Sequence, residues 1–335
     1  MDCFIHIGPS KTGSSSIQAF LTENEQELYK NGICFLRLSK ANFFELRFAF
    51  SCEYKNTRAS QNLGITSENY EEKKNLFKKR IARKISKVKD QGLTRVIISA
   101  EGLGALNKTE IQSISKWMYK RFEQISIIPV LRRQDRRALS RYKNIVKNKG
   151  HLEQQCLVAT DNFDLEYFLK LWMDIFGKKN IKPILFPDSV PESRDLIKDF
   201  CAASELSHLS NILKIDGFRR NESIDGRAIE IMRQINLMKP DRHLVPLDKT
   251  QKRLNKLIEN SFDFPLEKVQ PSKKEAREFY ETFKLSNEKV RQLFFQNREQ
   301  LFLEDFNIYP EKAHYPKFQP NDLLKILITY VNSSP

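Results

Sequence analysis

The stretch Cys3-Phe-Ile-His-Ile7-Gly8-Pro-Ser-Lys11-Thr12-Gly13-Ser14-Ser15-Ser16 decides how the rest of the chain is read. Residues 3–7 are a short apolar run with β-branched Ile5 and Ile7, the pattern of a buried strand. Gly8-Pro-Ser breaks it. From Ser14 to Asn31 an apolar stripe of Ile17, Phe20, Leu21 and Leu28 predicts a helix, stopped by Gly32. Strand, glycine-flanked turn and helix make a phosphate-binding loop: backbone N–H groups converge on an anion, and the helix N-terminus adds the positive end of its dipole. Lys11 adds a point charge and the hydroxyls add donors. A Walker A loop carries its lysine after the last glycine. Here Lys11 precedes Gly13 and the loop is shorter. No aspartate ends a later strand to hold Mg²⁺, so the pattern reads against a kinase or ATPase.

Further strands are expected at 33–38, 95–99, 125–131 and 181–186, and helices at 67–91, 109–122, 136–149 and 163–176. Residues 39–66 read as irregular and aromatic-rich, and the chain beyond 192 as almost wholly helical. Alternating strands and helices predict an α/β fold, a parallel sheet flanked by helices, with a helical C-terminal extension. The expected division is an α/β core over 1–215 and a mainly helical part over 216–335, packed on the core and contributing to an acceptor site.

Of 335 residues, 57 are Lys or Arg and 42 Asp or Glu, a formal charge of +15. That surplus points to polyanions: nucleic acid, phosphorylated cofactors, acidic glycans or anionic lipid. No run approaches the roughly 20 apolar residues of a membrane helix; Leu323–Val331, interrupted by Lys325, reads as a packed terminal helix. The five cysteines form no CxxC pair and no zinc spacing with the five histidines. With no signal-peptide pattern ahead of Cys3, they predict reduced thiols and a cytoplasmic location. His6 falls inside the first strand and reads as a satisfied core residue. His151, His208, His243 and His314 lack Ser or Asp partners at triad spacing, although His151 is near enough to the site to touch an acceptor. Trp117 and Trp172 read as core. Between 73 and 89 lie nine basic residues on a helix with apolar positions Phe77, Ile81, Ile85 and Val88. This is either a solvated face or a landing strip for an anionic acceptor or surface.

A second constellation follows the strand at 125–131. Arg132 leaves its carboxyl end, where ligands bind in open α/β sheets, and Ser140 lies eight residues on, about two helical turns. Between 132 and 149 there are eight basic residues and one acid, Asp135. Taken alone, such a run is a solvated face; a guanidinium fork with a hydroxyl also suits a phosphate.

Lys-Thr-Gly-Ser-Ser after a first strand, with Arg132 and Ser140 after a later one, resembles the sulfotransferases, and within them the bacterial glycan-sulfotransferase-like branch. Those enzymes transfer sulfonate from 3′-phosphoadenosine 5′-phosphosulfate (PAPS), leaving PAP. Ile97-Ile-Ser99-Ala-Glu101, Leu131-Arg-Arg-Gln-Asp135, Ser140-Arg-Tyr142, Leu171-Trp172 with Phe176-Gly177, and Phe200 also match that branch. Arg219-Arg-Asn-Glu-Ser223 and Ser286-Asn-Glu288 resemble its helical half. The likeness is good over 1–40 and 93–205 and thin elsewhere. It implies a PAPS-binding core, the 5′-phosphosulfate on Lys11, Thr12, Gly13, Ser14 and Ser15, with Ser16 in the same loop, and the 3′-phosphate on Arg132 and Ser140. The chain has Ser14-Ser15 where the family commonly has Thr-Thr, which keeps both hydroxyls.

The resemblance implies an in-line displacement without a metal, Lys11 stabilising the leaving phosphate, onto a hydroxyl of a glycan or glycolipid. Two carboxylates compete to accept the proton. Glu101 follows the strand at 95–99, where cytosolic sulfotransferases place a histidine base. Glu45, in Asn42-Phe-Phe-Glu-Leu46, lies where some glycan sulfotransferases carry theirs; where some relatives have a histidine, this chain has Phe43. Position favours Glu101. A small-molecule kinase and a non-enzymatic nucleic-acid or polyanion binder are the competing classes. The first lacks a Walker lysine, and the second lacks basic residues interleaved with aromatics; nucleic acid is therefore not an expected partner.

Overall fold

The structure is a computed structural model that describes the chain apart from residues 38–43, 56, 161–162, 190–194, 219–223, 239–248, 264 and 334–335. In chain order its elements are β1 (Asp2–Ile7), α1 (Ser14–Glu23), α2 (Glu25–Lys30), β2 (Ile33–Phe35), α3 (Phe44–Phe50), α4 (Arg58–Asn62), α5 (Tyr70–Asp90), β3 (Arg95–Ser99), α6 (Lys108–Tyr119), β4 (Ile125–Leu131), α7 (Gln134–Lys149), α8 (Leu165–Phe176), β5 (Ile184–Leu185), α9 (Leu196–Ala203), α10 (Gly226–Leu237), α11 (Lys249–Asn260), α12 (Lys273–Glu281), α13 (Lys284–Phe294) and α14 (Pro320–Ser333).

The strands form one parallel sheet in the order β2-β3-β1-β4-β5, the α/β architecture expected. Ile5 pairs with Ile98 of β3 and Ile127 of β4, and all three are buried, as a strand covered on both faces requires. The chain leaves β1 toward β2 and β3 on one side and later crosses to β4 on the other. The carboxyl end of β1 therefore lies at the switch point where ligands bind in such sheets.

The chain separates into two compact units, each built from three stretches. The first, 1–133, 160–220 and 283–303, holds the sheet; in the second, 134–159, 221–282 and 304–335, the described elements are helices, beside one isolated antiparallel bridge between Gln270 and His314. A single boundary after residue 215 does not coincide with either. In the second unit Tyr142 and Val146 of α7, Ala228, Ile229 and Met232 of α10 and Ile258 of α11 form the core. Asp225 caps α10 and is one of the unit's buried charges. Its carboxylate accepts from the N–H of Arg227 at 2.8 Å, the N–H of Glu267 at 2.9 Å and the Arg227 guanidinium at 3.0 and 3.1 Å.

Several local expectations are corrected. The helix expected over 14–31 breaks at Asn24, whose side chain donates to Phe20 O and Lys214 O and accepts from Lys214 N, all between 2.8 and 2.9 Å. The strand expected over 181–186 shortens to Ile184–Leu185, with an isolated bridge from Ile181 to Ile127; Pro183 between them has no N–H for the ladder. Residues 39–66 contain two helices, α3 and α4. Of the basic run after β4, Arg133 and Arg137 are buried rather than solvated. Among the described residues of α14 only Asp322 is fully buried and Ile326 packs inward, while Leu323, Leu324, Leu327, Ile328, Tyr330 and Val331 are exposed; this helix is not the packed one expected. Among the described residues no helix is long and apolar enough to cross a membrane. All five cysteines are free thiols: Cys3, Cys156 and Cys201 buried, Cys34 half-buried, Cys52 exposed. Burial and the Glu25 carboxylate push the Cys34 thiol up to about 11.

Burial raises the Asp225 pKa, but hydrogen bonds from Arg227 and Glu267 outweigh it and hold the carboxyl below the usual value. The folded state thus keeps Asp225 ionised where the unfolded chain takes up a proton. Its contribution is complete above the unfolded value, about 3.9, and is lost as pH falls through the folded one. Asp225→Asn should cost about 3 kcal/mol at pH 7 and less below pH 4, measured by thermal melting of the full chain. An equal cost at both pH values would mean that the capping geometry, not the charge, carries the effect.

Candidate functional site

The loop joining β1 to α1 turns on two left-handed residues. Lys11 has φ 70°, unusual for a residue with a side chain, and Gly13 has φ 88°. They bracket Thr12, an alternation from which anion-binding concavities are built. A Cβ on Gly13 would fall 2.4 Å from Leu196 Cδ2 and 2.8 Å from Phe186 Cε2, so glycine is required there on two counts. Gly13 also caps α1: its carbonyl accepts from Ser16 N at 2.9 Å and Ile17 N at 3.2 Å, with no side-chain cap. The first turn of α1 carries no acid. Ser14 is buried, and its Oγ has no hydrogen-bond partner among the described residues. A buried donor left without a partner costs about 1–3 kcal/mol, and here it sits at the positive end of a ten-residue helix. Ser15 is exposed and Ser16 half-buried. The Thr12 hydroxyl, fully buried, donates to Pro9 O at 2.8 Å, so it braces the loop from inside.

The 3-10 turn Glu101–Ala105, which follows β3, lies directly against this loop. A Cβ on Gly104 would fall 1.6 Å from the carbonyl oxygen of Gly8, so the two backbones touch. The same turn brings Glu101 to the loop. A methyl on Gly8 would meet Thr12 Oγ1 at 3.2 Å, Glu101 Cγ at 3.4 Å and Ser14 Oγ at 3.7 Å, so these three side chains converge on one point. Glu45 on α3 is buried and pairs with Arg80 of α5 at 2.7 Å. Its Oε2 has no partner among the described residues. Burial raises its pKa, opposed by the charges of Arg80 and Lys84.

Arg132, the residue after β4, ties the strand ends together. Its Nη1 donates to Lys11 O at 2.9 Å, and its Nε and Nη2 donate to the Asp188 carboxylate, which sits on the 3-10 turn Pro187–Ser189 beyond β5. The guanidinium lies 4.5 Å from the centre of the Phe186 ring. Ser140 belongs to the second unit, half-buried on the second turn of α7. The first unit therefore gathers Lys11, Thr12, Gly13, Ser14, Glu101 and Arg132 at the carboxyl edge of the sheet, while Glu45 faces α5.

His6 in β1 is buried, with its Nδ1 2.8 Å from Ser99 Oγ, and burial lowers its pKa to about 3, so it is neutral; its Nε2 lacks a partner among the described residues. His151 lies in the second unit, edge-on to Tyr142, and burial lowers its pKa. Arg219–Ser223, Phe43 and His243 lie outside the described residues. Sequence reading missed Gly104, Phe186 and Asp188. Gly102 and Gly104, spaced as Glu101-Gly-Leu-Gly104 right after a strand, were the available signal for the first; nothing in sequence marked the others.

No protein-family model matches the chain. An uncharacterized protein of Archaeoglobus fulgidus is 27% identical over 231 residues, covering 66% of this chain. The chain spans about 60% of that protein's length. The crystal structure of a sulfotransferase from Alicyclobacillus acidocaldarius superposes on 75% of this chain and 98% of its own at 16% identity, with a TM-score of 0.36. An agreement that loose does not bear on chemistry.

Adding a methyl separates close approach from backbone strain. Gly64 has φ 62° and nothing within 4 Å of a built Cβ, so Gly64→Ala should cost about 1 kcal/mol of strain. Gly104→Ala carries no such strain but must displace the Gly8 carbonyl, and should cost about 3 kcal/mol or more. Gly13→Ala combines both. Chemical denaturation of the three variants checks the order; a Gly104→Ala cost no larger than that of Gly64→Ala would remove the backbone contact from the account.

Proposed function

We propose that this chain is a sulfotransferase that moves the sulfonate group of PAPS to a hydroxyl of a glycan or glycolipid. The observation that carries the reading is Ser14 Oγ: buried, unpartnered among the described residues, and set at an acid-free helix N-terminus behind a glycine that admits no side chain. Such a donor set suits a tetrahedral anion. Lys11, Ser14, Ser15 and the backbone of Thr12 and Gly13 would hold the 5′-phosphosulfate, with Ser16 in support. Arg132 would meet the 3′-phosphate; Ser140, the other residue expected there, belongs to the second unit. The acceptor oxygen attacks sulfur, the bond from sulfur to the 5′-phosphate oxygen breaks, and Lys11 neutralises the leaving charge. The acceptor proton passes to Glu101, which the Gly104 contact sets beside the loop; Glu45, already paired with Arg80, is the second choice. The reading calls for no metal ion. Lys79, Arg83 and Lys87, exposed four residues apart along α5, suit an anionic acceptor or surface.

Thermal shift separates this reading from its competitors. PAP at a hundredfold excess over its Kd should stabilise the chain by about 2.7 kcal/mol. A shift with Mg-ATP alone would favour a kinase, and one with duplex DNA alone a nucleic-acid binder. In a transfer assay over glycans, glycolipids and phenols, Lys11→Ala should lose about 2–4 kcal/mol of barrier lowering. Wild-type rates in that variant would sink the loop assignment.

Glu101→Gln should lower kcat by roughly 10²–10⁴-fold with PAP affinity unchanged, because the base meets the acceptor and not the nucleotide. Glu45→Gln should be mild. The opposite pattern would move the base to α3.

A further inference from the structure

We propose that Asp188 is a built-in occupant of the Arg132 fork and thereby sets how strongly this chain distinguishes a nucleotide with a 3′-phosphate from one without. The inference rests on the loop being a nucleotide site. Arg132 has five N–H groups. Its Nε points at both Asp188 oxygens at 3.1 Å, its Nη2 at Asp188 Oδ2, and its Nη1 at the Lys11 carbonyl at 2.9 Å. The Phe186 ring lies over the same guanidinium. Two-point contact by a carboxylate is the geometry a phosphate takes on the same fork. Both side chains are mostly shielded, 15% and 29% exposed, so the pair is not diluted by bulk water.

A phosphate reaching Arg132 therefore meets a guanidinium whose charge is already answered. Either it displaces Asp188 from its turn, or it takes the remaining two N–H groups with a like charge within a few ångströms. Both routes weaken what a 3′-phosphate adds. The other end of the site is built differently: the first turn of α1 has no acid, and Ser14 Oγ is unpartnered among the described residues. Among the described residues, then, neither an acid in that first turn nor a partner of Ser14 Oγ competes there for an anion. The two ends thus differ: one keeps a buried hydroxyl without a partner among the described residues, and the other is answered by the protein's own carboxylate.

Calorimetry with PAP and 5′-AMP, which differ only in the 3′-phosphate, tests this on the full chain. Wild type should bind PAP within about tenfold of 5′-AMP. In Asp188→Asn, and in Asp188→Ser as a smaller replacement, the PAP to 5′-AMP affinity ratio should rise about tenfold or more while 5′-AMP affinity stays put. An unchanged ratio in a folded variant overturns the proposal and leaves Asp188 as a tie between strand ends. If neither variant folds, the wild-type ratio decides: a preference for PAP above about a thousandfold overturns it. Binding of neither nucleotide to wild type would instead overturn the reading of the loop, and the proposal with it; binding of 5′-AMP with an unresponsive ratio removes the role of Asp188 alone.

Discussion

The contact of Gly104 with the Gly8 carbonyl is the constraint on which the carboxyl edge of the sheet depends. It follows from strand order: β1 and β3 are neighbours, so the turns leaving them must share the space above one pair of strands. Two backbones fit there only if one residue lacks a Cβ. Once they touch, the positions of Glu101, Thr12 and Ser14 are no longer independent. The hydroxyl of Thr12 is turned inward to Pro9, and Ser14 is enclosed without a partner of its own among the described residues. On the far side Arg132 does for β1, β4 and β5 what the glycine contact does for β1 and β3. One brace is steric; the other is ionic.

The sheet was legible because its strands are apolar runs of β-branched residues ended by glycine, serine or arginine, and because parallel connections admit few topologies. The turn between β1 and α1 was legible because Gly8-Pro-Ser breaks the apolar run and Gly13 precedes the helical stripe. What escaped was set by contacts remote in sequence. Asn24 is a plain helix residue until Lys214 offers it two backbone groups. Phe44–Phe50 has no helical period in sequence, because Leu46, Phe48, Ala49 and Phe50 are all buried and so is the charged Glu45. Asp188 is one carboxylate among many in the sequence and gains meaning only when β5 lies next to β4.

The basic run after β4 shows the same limit from the side of charge. Counted along the chain it is a cationic surface. In the fold Arg133 and Arg137 are buried, Arg133 donating to the Leu303 carbonyl, and Asp135 accepts from Tyr309 at 2.6 Å. Formal charge thus overstates what a partner can reach. A row of exposed basic residues lies instead along α5, whose apolar positions Phe77, Ile81, Ile85 and Val88 hold the helix down and turn Lys79, Arg83 and Lys87 outward.

The distribution of thiols gives the molecule a ready attachment point. Three cysteines are enclosed and Cys34 is both half-buried and reluctant to ionise, so maleimide chemistry at neutral pH will select Cys52. Cys52 follows α3 by two residues, and its N–H is fixed to Glu110 Oε1 at 2.7 Å, so a dye placed there rides on a defined piece of backbone. Because α3 also carries Glu45, a fluorophore on this single native residue will report on rearrangement of the α3 segment without any engineered cysteine.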